Sequence, residues 1–201
     1  GGGTGMSPVP MMQECSTPTL YLLAQVLQGI DILHRKGKHT PDLAFAGGFI
    51  NETQVFKAIA MSNLGNEPHV KAISMARAPI TAAMKSDYFV ELYSKGNLPQ
   101  NFARHYGNRP EQFFITAPEL SRNNGARLGT DIPWPAVGVY TYLTDRIGTG
   151  LKQLMAGCRK WKLQLLDRND LASLTDHAAR VTGIPGCWET SQQTLEKMLQ
   201  F

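Results

Sequence analysis

The sequence has few cysteines and no pattern that would place them on a metal. Cys15, Cys158 and Cys187 are the three in 201 residues, and they lie far apart. No CxxC pair and no cysteine–histidine cluster at zinc-site spacing occurs. The histidines are scattered too, and none stands in a triad arrangement with a serine or cysteine. The sequence therefore argues against thiolate metal sites, and the odd cysteine count favours a reducing cytoplasm.

Long apolar runs and strong charge are also missing. No run approaches the roughly 20 apolar residues of a membrane span, and the N-terminus lacks the charged and apolar regions of a signal peptide. The net charge is only +4, and no basic stripe or recognised module indicates a nucleic-acid partner. The hydrophobic content of 42% suffices for one buried core. Because the chain begins in a glycine-rich stretch without an initiator methionine, we expect a fragment or a processed product.

Apolar spacing predicts strands and helices in alternation. Helical periodicity covers residues 17–36, with Thr17 and Pro18 at its start and Gly37 as its stop. The short apolar run over residues 42–46 is typical of a buried strand, and Val70–Ser74 is predicted as a second strand. Further helices are predicted over residues 51–62, 78–95, 98–106, 110–115, 135–158 and 170–181, with a loop over 118–129.

Alternating strands and helices predict parallel pairing with right-handed crossovers. Two parallel strands alone make no viable sheet, since such strands are normally covered on both faces and flanked by others. We therefore expect the remaining strands in the same parent chain or in a partner chain, or a homo-oligomer that covers the exposed edges.

Two short loops follow these strands and could hold an anion. Gly47 and Gly48 come directly after the first strand, and Ala76 and Arg77 follow the second. In (β/α)₈ barrels, ligands bind at the C-terminal strand ends, and a phosphate often rests between the last two loops. Backbone N–H groups near a helix N-terminus favour that anion, and an arginine can add a bidentate contact. The alternative is that Gly47 and Gly48 form only a tight turn and that Arg77 is an ordinary surface cation, with no anion bound.

The motifs resemble those of the FMN-binding glutamate synthase family. The segment Gly2–Pro8 is similar to the family's GGTG(A/M)SP loop. Residues 44–49 and 71–77 resemble the ends of its seventh and eighth barrel strands, and residues 132–159 resemble the C-terminal extension of its shorter, stand-alone members. The resemblance implies the C-terminal quarter of a (β/α)₈ TIM barrel over residues 1–95, from the loop after strand six through helix eight. A mostly helical extension over residues 96–201 would pack on the barrel.

The resemblance also implies a cofactor and a chemistry. FMN would lie across the barrel mouth, with Ser7 facing the substrate, and the reduced flavin would aminate 2-oxoglutarate with ammonia to form glutamate, a step of nitrogen metabolism. The electron donor and the catalytic residues stay open. The residues that would bind FMN are Gly2, Gly3, Thr4, Gly5, Gly47, Gly48, Ala76 and Arg77.

Some features depart from the family. No cysteine lies between Arg77 and Gly157, so an iron–sulfur cluster on this chain is not expected. No glutaminase domain is present, and Ala76 stands where shorter relatives have glycine. The alternative hypothesis is a non-catalytic fragment or self-associating protein whose phosphate-binding loops are empty.

Other side chains suggest structural roles. Cys15 is expected to be a buried, inert thiol. The histidines and the acidic residues Asp87, Glu91, Glu111 and Glu119 are expected at the surface. The aromatic residues Trp134, Tyr140, Tyr142 and Trp161 are expected to pack the extension against the barrel.

Overall fold

The computed structural model describes residues 17–65 and 67–199, together with Pro8, Pro10, Glu14 and Cys15. These residues form a mixed α/β structure that is mostly helical and contains two parallel strands. The predicted α/β class with parallel pairing is thus confirmed, and the barrel itself stays a prediction. In chain order the elements are α1 (Thr19–Arg35), β1 (Leu43–Ala46), α2 (Glu52–Met61), β2 (Val70–Ser74), α3 (Arg77–Ser94), α4 (Gln100–Tyr106), α5 (Pro110–Phe113), α6 (Ala117–Asn124), α7 (Trp134–Thr141), a π-helix (Tyr142–Thr149), α8 (Gly150–Gly157), 3₁₀-helices (Leu163–Leu165 and Arg168–Asp170), α9 (Asp176–Thr182) and α10 (Cys187–Leu199).

The described residues form two compact units. The first contains the residues up to Phe49, Thr53–Ser74 and those from Leu154 onward. The second contains Ile50–Glu52 and Met75–Gln153. The sequence predicts a boundary between residues 95 and 96, where a barrel would end and its helical extension would begin. This boundary differs from the division between the two units, and it stays a prediction. None of the helices in the described part of the chain is long and apolar enough to cross a membrane.

Helix α1 of the first unit ends just before Gly37, as the sequence predicts. Its apolar stripe, which includes Leu23 and Leu27, is buried. Gly37 follows the helix with φ of 63°, a conformation that glycine adopts without strain. The Gly37 N–H donates to the His34 carbonyl and the Lys38 N–H to the Leu33 carbonyl, both at 2.9 Å. This is the Schellman arrangement, which satisfies carbonyls that the helix end leaves free.

The two-stranded sheet has one covered and one bare face. Strands β1 and β2 pair in parallel, with Phe45 opposite Ile73 and Ala46 opposite Ser74. Phe45 is buried and Ile73 half-buried on one face. Successive side chains of a strand point to opposite faces. Ala44, Ala46, Ala72 and Ser74 are small and exposed and share the other face. The register shifts between Leu43 and Ala44, so Val70 and Lys71 lie outside this alternation.

The α2–β2 connection is fixed by buried polar side chains. The Ser62 hydroxyl donates to the Ile59 carbonyl at 2.7 Å and accepts from the Val70 N–H at 3.0 Å. The Asn63 amide donates to the Leu166 carbonyl at 2.8 Å, and its oxygen accepts from a backbone N–H two residues later. These bonds satisfy buried polar groups that would otherwise cost stability.

The last part of the first unit corrects the sequence prediction. The helix predicted over residues 170–181 begins only at Asp176, so Leu171 and Leu174 lie outside it. Thr175 sets this start, because its hydroxyl accepts from the Ala178 N–H at 3.2 Å. Asp167 caps the 3₁₀-helix Arg168–Asp170 that precedes α9. Helix α10 was not predicted at all.

The second unit is helical, and its core is aromatic. Phe114, Ala117 and Val137 form a buried cluster on which Trp134 packs. Helix α6 occupies a segment predicted to be a loop, and Gly125 ends it in a left-handed conformation. That loop prediction was wrong because polar composition hid a helix whose buried end is Ala117.

The long helix predicted over residues 135–158 is present as a continuous helical run, Trp134–Gly157, whose middle is a π-helix. The hydroxyls of Thr141 and Thr144 bond to the carbonyls four residues earlier, at 2.8 and 2.7 Å. Such bonds compete with the regular backbone pattern, which fits a change of helix type at this point.

Candidate functional site

The first predicted cofactor loop cannot be placed. Gly2, Gly3, Thr4, Gly5 and Ser7 lie outside the described residues. Their predicted contacts with the flavin and the substrate stay predictions.

The Gly47–Gly48 turn lies where the sequence predicted it, directly after β1. Both glycines have positive φ, 129° and 74°. A side chain at either position would be strained. No atom lies within 4 Å of the point where a Cβ of Gly48 would stand, so this backbone is open to approach. The sequence did not reveal what holds the turn: the Thr19 hydroxyl of α1 donates to the Gly47 carbonyl at 2.9 Å.

A cavity of about 330 Å³ lies beside this turn in the first unit. Its walls come from α1, the end of β1 and α2, and they include Leu23, Phe45 and Met61. Phe45 belongs to the covered face of the sheet, so the cavity lies on the helical side of β1. Its mainly apolar walls suit an apolar group better than a phosphate.

Ala76 and Arg77 lie at the start of α3, in the second unit. Ala76 is the N-cap residue, with φ of −106°, so alanine fits here without left-handed strain. No side chain caps the helix and its first turn contains no acidic residue. Arg77 is its first residue. A helix start that carries a cation and no acid of its own favours an anion.

The register of the sheet relates the two strand ends. Ala46, the last residue of β1, pairs with Ser74, the last residue of β2. Both strands of the first unit therefore end at the same edge, as the barrel hypothesis requires.

A charged cluster that sequence reasoning missed lies in the first unit. Lys160 contacts Asp167 at 2.8 Å and Asp170 at 2.7 Å. Burial opposes the charge on Lys160, but the hydrogen bonds that it donates to both carboxylates outweigh burial and raise the pKa of this ammonium group. The cluster stabilises a turn, and its ion pairs leave no charged group of the three without a partner.

The pKa of the Cys158 thiol, next to this cluster, is raised. Burial is the main cause, because it disfavours the thiolate, and the negative charge of Asp170 adds to the effect. At pH 8 we expect Cys158 to react with iodoacetamide more slowly than the exposed Cys15, since only the thiolate is nucleophilic. Peptide mass mapping at timed intervals measures both rates. Asp170→Asn should speed the reaction at Cys158 and leave Cys15 unchanged. Equal rates in the unmodified protein would contradict this prediction.

The other sequence expectations have mixed outcomes. The acidic residues expected at the surface are exposed, as are four of the five histidines, with His69 half-buried. Cys15, expected to be buried, is exposed, so that prediction was wrong. Trp134 stacks on Phe114 within the second unit, and Trp161 is 75% exposed and packs little; packing of these rings against a barrel stays a prediction. Among the described residues, no group of three or more acidic, histidine or cysteine side chains could hold a metal.

No protein-family model, no curated protein and no solved structure matches this chain. The resemblance to the glutamate synthase family therefore rests on the motifs alone.

Proposed function

We propose that this chain carries the last two strands of an FMN-binding (β/α)₈ barrel of the glutamate synthase type, followed by a helical extension. The observation that carries the proposal is the parallel β1–β2 pair followed by a Gly-Gly turn on one strand and an uncapped helix with an N-terminal arginine on the other. This is the order of elements that binds a phosphate after the last two strands of such barrels.

The bare face of the sheet supports the barrel part of the proposal. Ala44, Ala46, Ala72 and Ser74 are small and exposed, whereas parallel sheets are normally covered on both faces. Small side chains suit the interior of a barrel mouth, where a ligand lies close to the strands. Six further strands, supplied by the parent chain or by a partner, would cover this face.

The residues present fit a phosphate group. Gly47 and Gly48 have positive φ, and nothing lies within 4 Å of the Gly48 Cβ position, so a ligand can approach this backbone closely. The first turn of α3, which no side chain caps, offers N–H groups that a helix start leaves without intrahelical partners. Arg77 supplies the positive charge that a phosphate dianion requires. We propose that Gly47, Gly48, Ala76 and Arg77 each contribute to phosphate binding, and that Gly2, Gly3, Thr4 and Gly5 contact the rest of the cofactor.

The bound flavin supplies hydride transfer, which this chain's side chains cannot perform. The chain's own role is to anchor the phosphate and to fix the orientation of the ring. Ser7 is proposed to contact the substrate, 2-oxoglutarate or its imine with ammonia. Free thiols at Cys15, Cys158 and Cys187 favour a cytoplasmic site for this chemistry.

A comparison of FMN with riboflavin tests the phosphate site. Riboflavin lacks the phosphate, so Arg77→Ala should weaken FMN binding by about tenfold or more, the size of one charge-assisted contact, and should leave riboflavin binding unchanged. Quenching of flavin fluorescence during titration measures both affinities. Arg104→Ala is the matched control, because it removes the same charge from an exposed site on α4.

Equal loss of FMN affinity in Arg77→Ala and Arg104→Ala would show only a general charge effect and contradict the proposed contact. With the six further strands supplied, a folded sample that binds neither flavin would reject the phosphate site on this chain. A colourless chain that self-associates through the bare sheet face would favour the second hypothesis, a protein with empty loops.

A further inference from the structure

A second cavity, of about 300 Å³, lies wholly within the second unit and is separate from the proposed phosphate site. Helices α3, α4, α5 and α7 and the π-helix contribute to its wall. Its volume is at the lower end of the range for small-molecule sites, about 300–1,000 Å³. The cavity can therefore hold a ligand of one or two rings.

The walls of this cavity are aromatic. Phe89 stacks on Phe102, with ring centroids 4.2 Å apart and planes 12° from parallel. Phe113 meets Phe102 edge-on at 5.4 Å, and Phe114 also lines the cavity. Ring faces attract other aromatic rings and also cations, through the negative charge above the ring plane. Such walls favour a planar aromatic ligand with a positive group.

The charged side chains at the cavity differ in whether they have partners. Lys85 lies 5.3 Å from the centroid of the Tyr88 ring. Arg146 lies 3.1 Å from Glu52, so its charge is compensated. Asp145 lines the cavity, is half-buried, and has neither an ion pair nor a side-chain hydrogen bond within the described residues. Asp145 is therefore the carboxylate among the described lining residues, and it is unpaired, whereas Lys85 has a ring contact but no ion pair and keeps its positive charge.

The backbone beneath Asp145 is unusual as well. Asp145 and Arg146 belong to the π-helix Tyr142–Thr149, and π-helical segments are rare and occur often at functional sites. The neighbouring Tyr142 hydroxyl is already committed, since it donates to the Ile50 carbonyl at 3.0 Å. Asp145 is thus the side chain of this helix that is available to bind a ligand in the cavity.

We propose that this cavity binds a small arylalkyl ammonium compound, with the ring against Phe102 and Phe113 and the ammonium group on the Asp145 carboxylate. The charge complements Asp145, and the aromatic walls add cation–π attraction. Lys85 and Arg146 disfavour a strongly cationic ligand, so a single ammonium group fits best.

Three probes of nearly equal size test this proposal. Tryptamine carries an ammonium group, tryptophol replaces it with a hydroxyl, and indole-3-acetate carries a carboxylate. Calorimetric titration should show tryptamine binding about tenfold more tightly than tryptophol, a ratio that matches one partly exposed charged hydrogen bond. Indole-3-acetate should bind most weakly of the three.

Two variants assign that preference to Asp145. Asp145→Asn keeps the shape, and it should reduce tryptamine affinity to that of tryptophol without changing tryptophol. Lys85→Gln removes a like charge and should tighten tryptamine binding several-fold. Circular dichroism checks that both variants fold. Equal affinities for the three probes, no binding of any, or an unchanged tryptamine affinity in folded Asp145→Asn would each overturn the proposal.

Discussion

Replacing Leu166 by alanine is expected to lower the free energy of unfolding by about 3 kcal/mol, within the range for buried leucines. Leu166 is fully buried, with 0% of its surface exposed. The substitution removes three carbon atoms and leaves a cavity that the surroundings fill only in part. Urea denaturation followed by circular dichroism measures the change.

Leu165→Ala is the matched control for this prediction. Leu165 is the adjacent residue, but it is 51% exposed. Its truncation should cost less than about 1 kcal/mol, as for most surface substitutions. Equal losses at the two positions would show that Leu166 does not anchor this segment and that both effects come from local chain propensity.

The burial of Leu166 matters because its segment links distant parts of the first unit. Its carbonyl accepts from the Asn63 side chain, 103 residues earlier. Arg168, two residues on, donates to the Met61 carbonyl at 3.1 Å and also to the Thr182 carbonyl. The half-buried guanidinium thus joins the C-terminal ends of α2 and α9. A cation at a helix C-terminus is favourable because the last carbonyls carry partial negative charge.

Local signals in the sequence were enough to predict β2 and the end of α1. Val70–Ser74 forms a strand over the full predicted length, since a segment of five residues with Val70 and Ile73 is too short for a helix. Gly37 ended α1 because only glycine enters the left-handed region at no cost. Both signals act over a few residues, so the sequence alone carries them.

Signals that depend on distant residues were not predictable. The start of α9 at Asp176 depends on the Thr175 cap, which the apolar spacing over residues 170–181 did not reveal. Helix α10 was missed, and in the structure none of its residues is buried, with Trp188 and Leu195 exposed. Asn63 and Arg168 gain their roles only when remote backbone carbonyls reach them.

For the candidate sites too, the sequence predicted some features and missed others. The positions of Gly47 and Arg77 after the two strands followed from element order alone. Thr19, which holds the Gly47 turn, gave no signal because a threonine near a helix start ordinarily acts as a cap. The aromatic cavity also had no signature, because its walls come from five helical segments that only the fold brings together.

Gly138→Ala in α7 is expected to destabilise the second unit, by about 1–3 kcal/mol as for other overpacked cores. A Cβ at Gly138 would lie 1.6 Å from the Ser86 Oγ, 2.6 Å from the Ser86 Cβ and 3.2 Å from the Ala82 carbonyl oxygen. Rotation of the hydroxyl cannot relieve the last two contacts, so α3 and α7 must move apart.

Gly29→Ala in α1 is the matched control, because nothing lies within 4 Å of its Cβ position, and alanine there should stabilise the helix by about 0.5–1 kcal/mol. Trp134 fluorescence reports on the second unit during urea unfolding, since this ring stacks on Phe114 whereas Trp161 and Trp188 are exposed. Ser86→Gly should recover part of the loss in Gly138→Ala by removing the atoms that clash. A stabilising Gly138→Ala would show that the two helices do not approach as closely as the Ser86 contact requires.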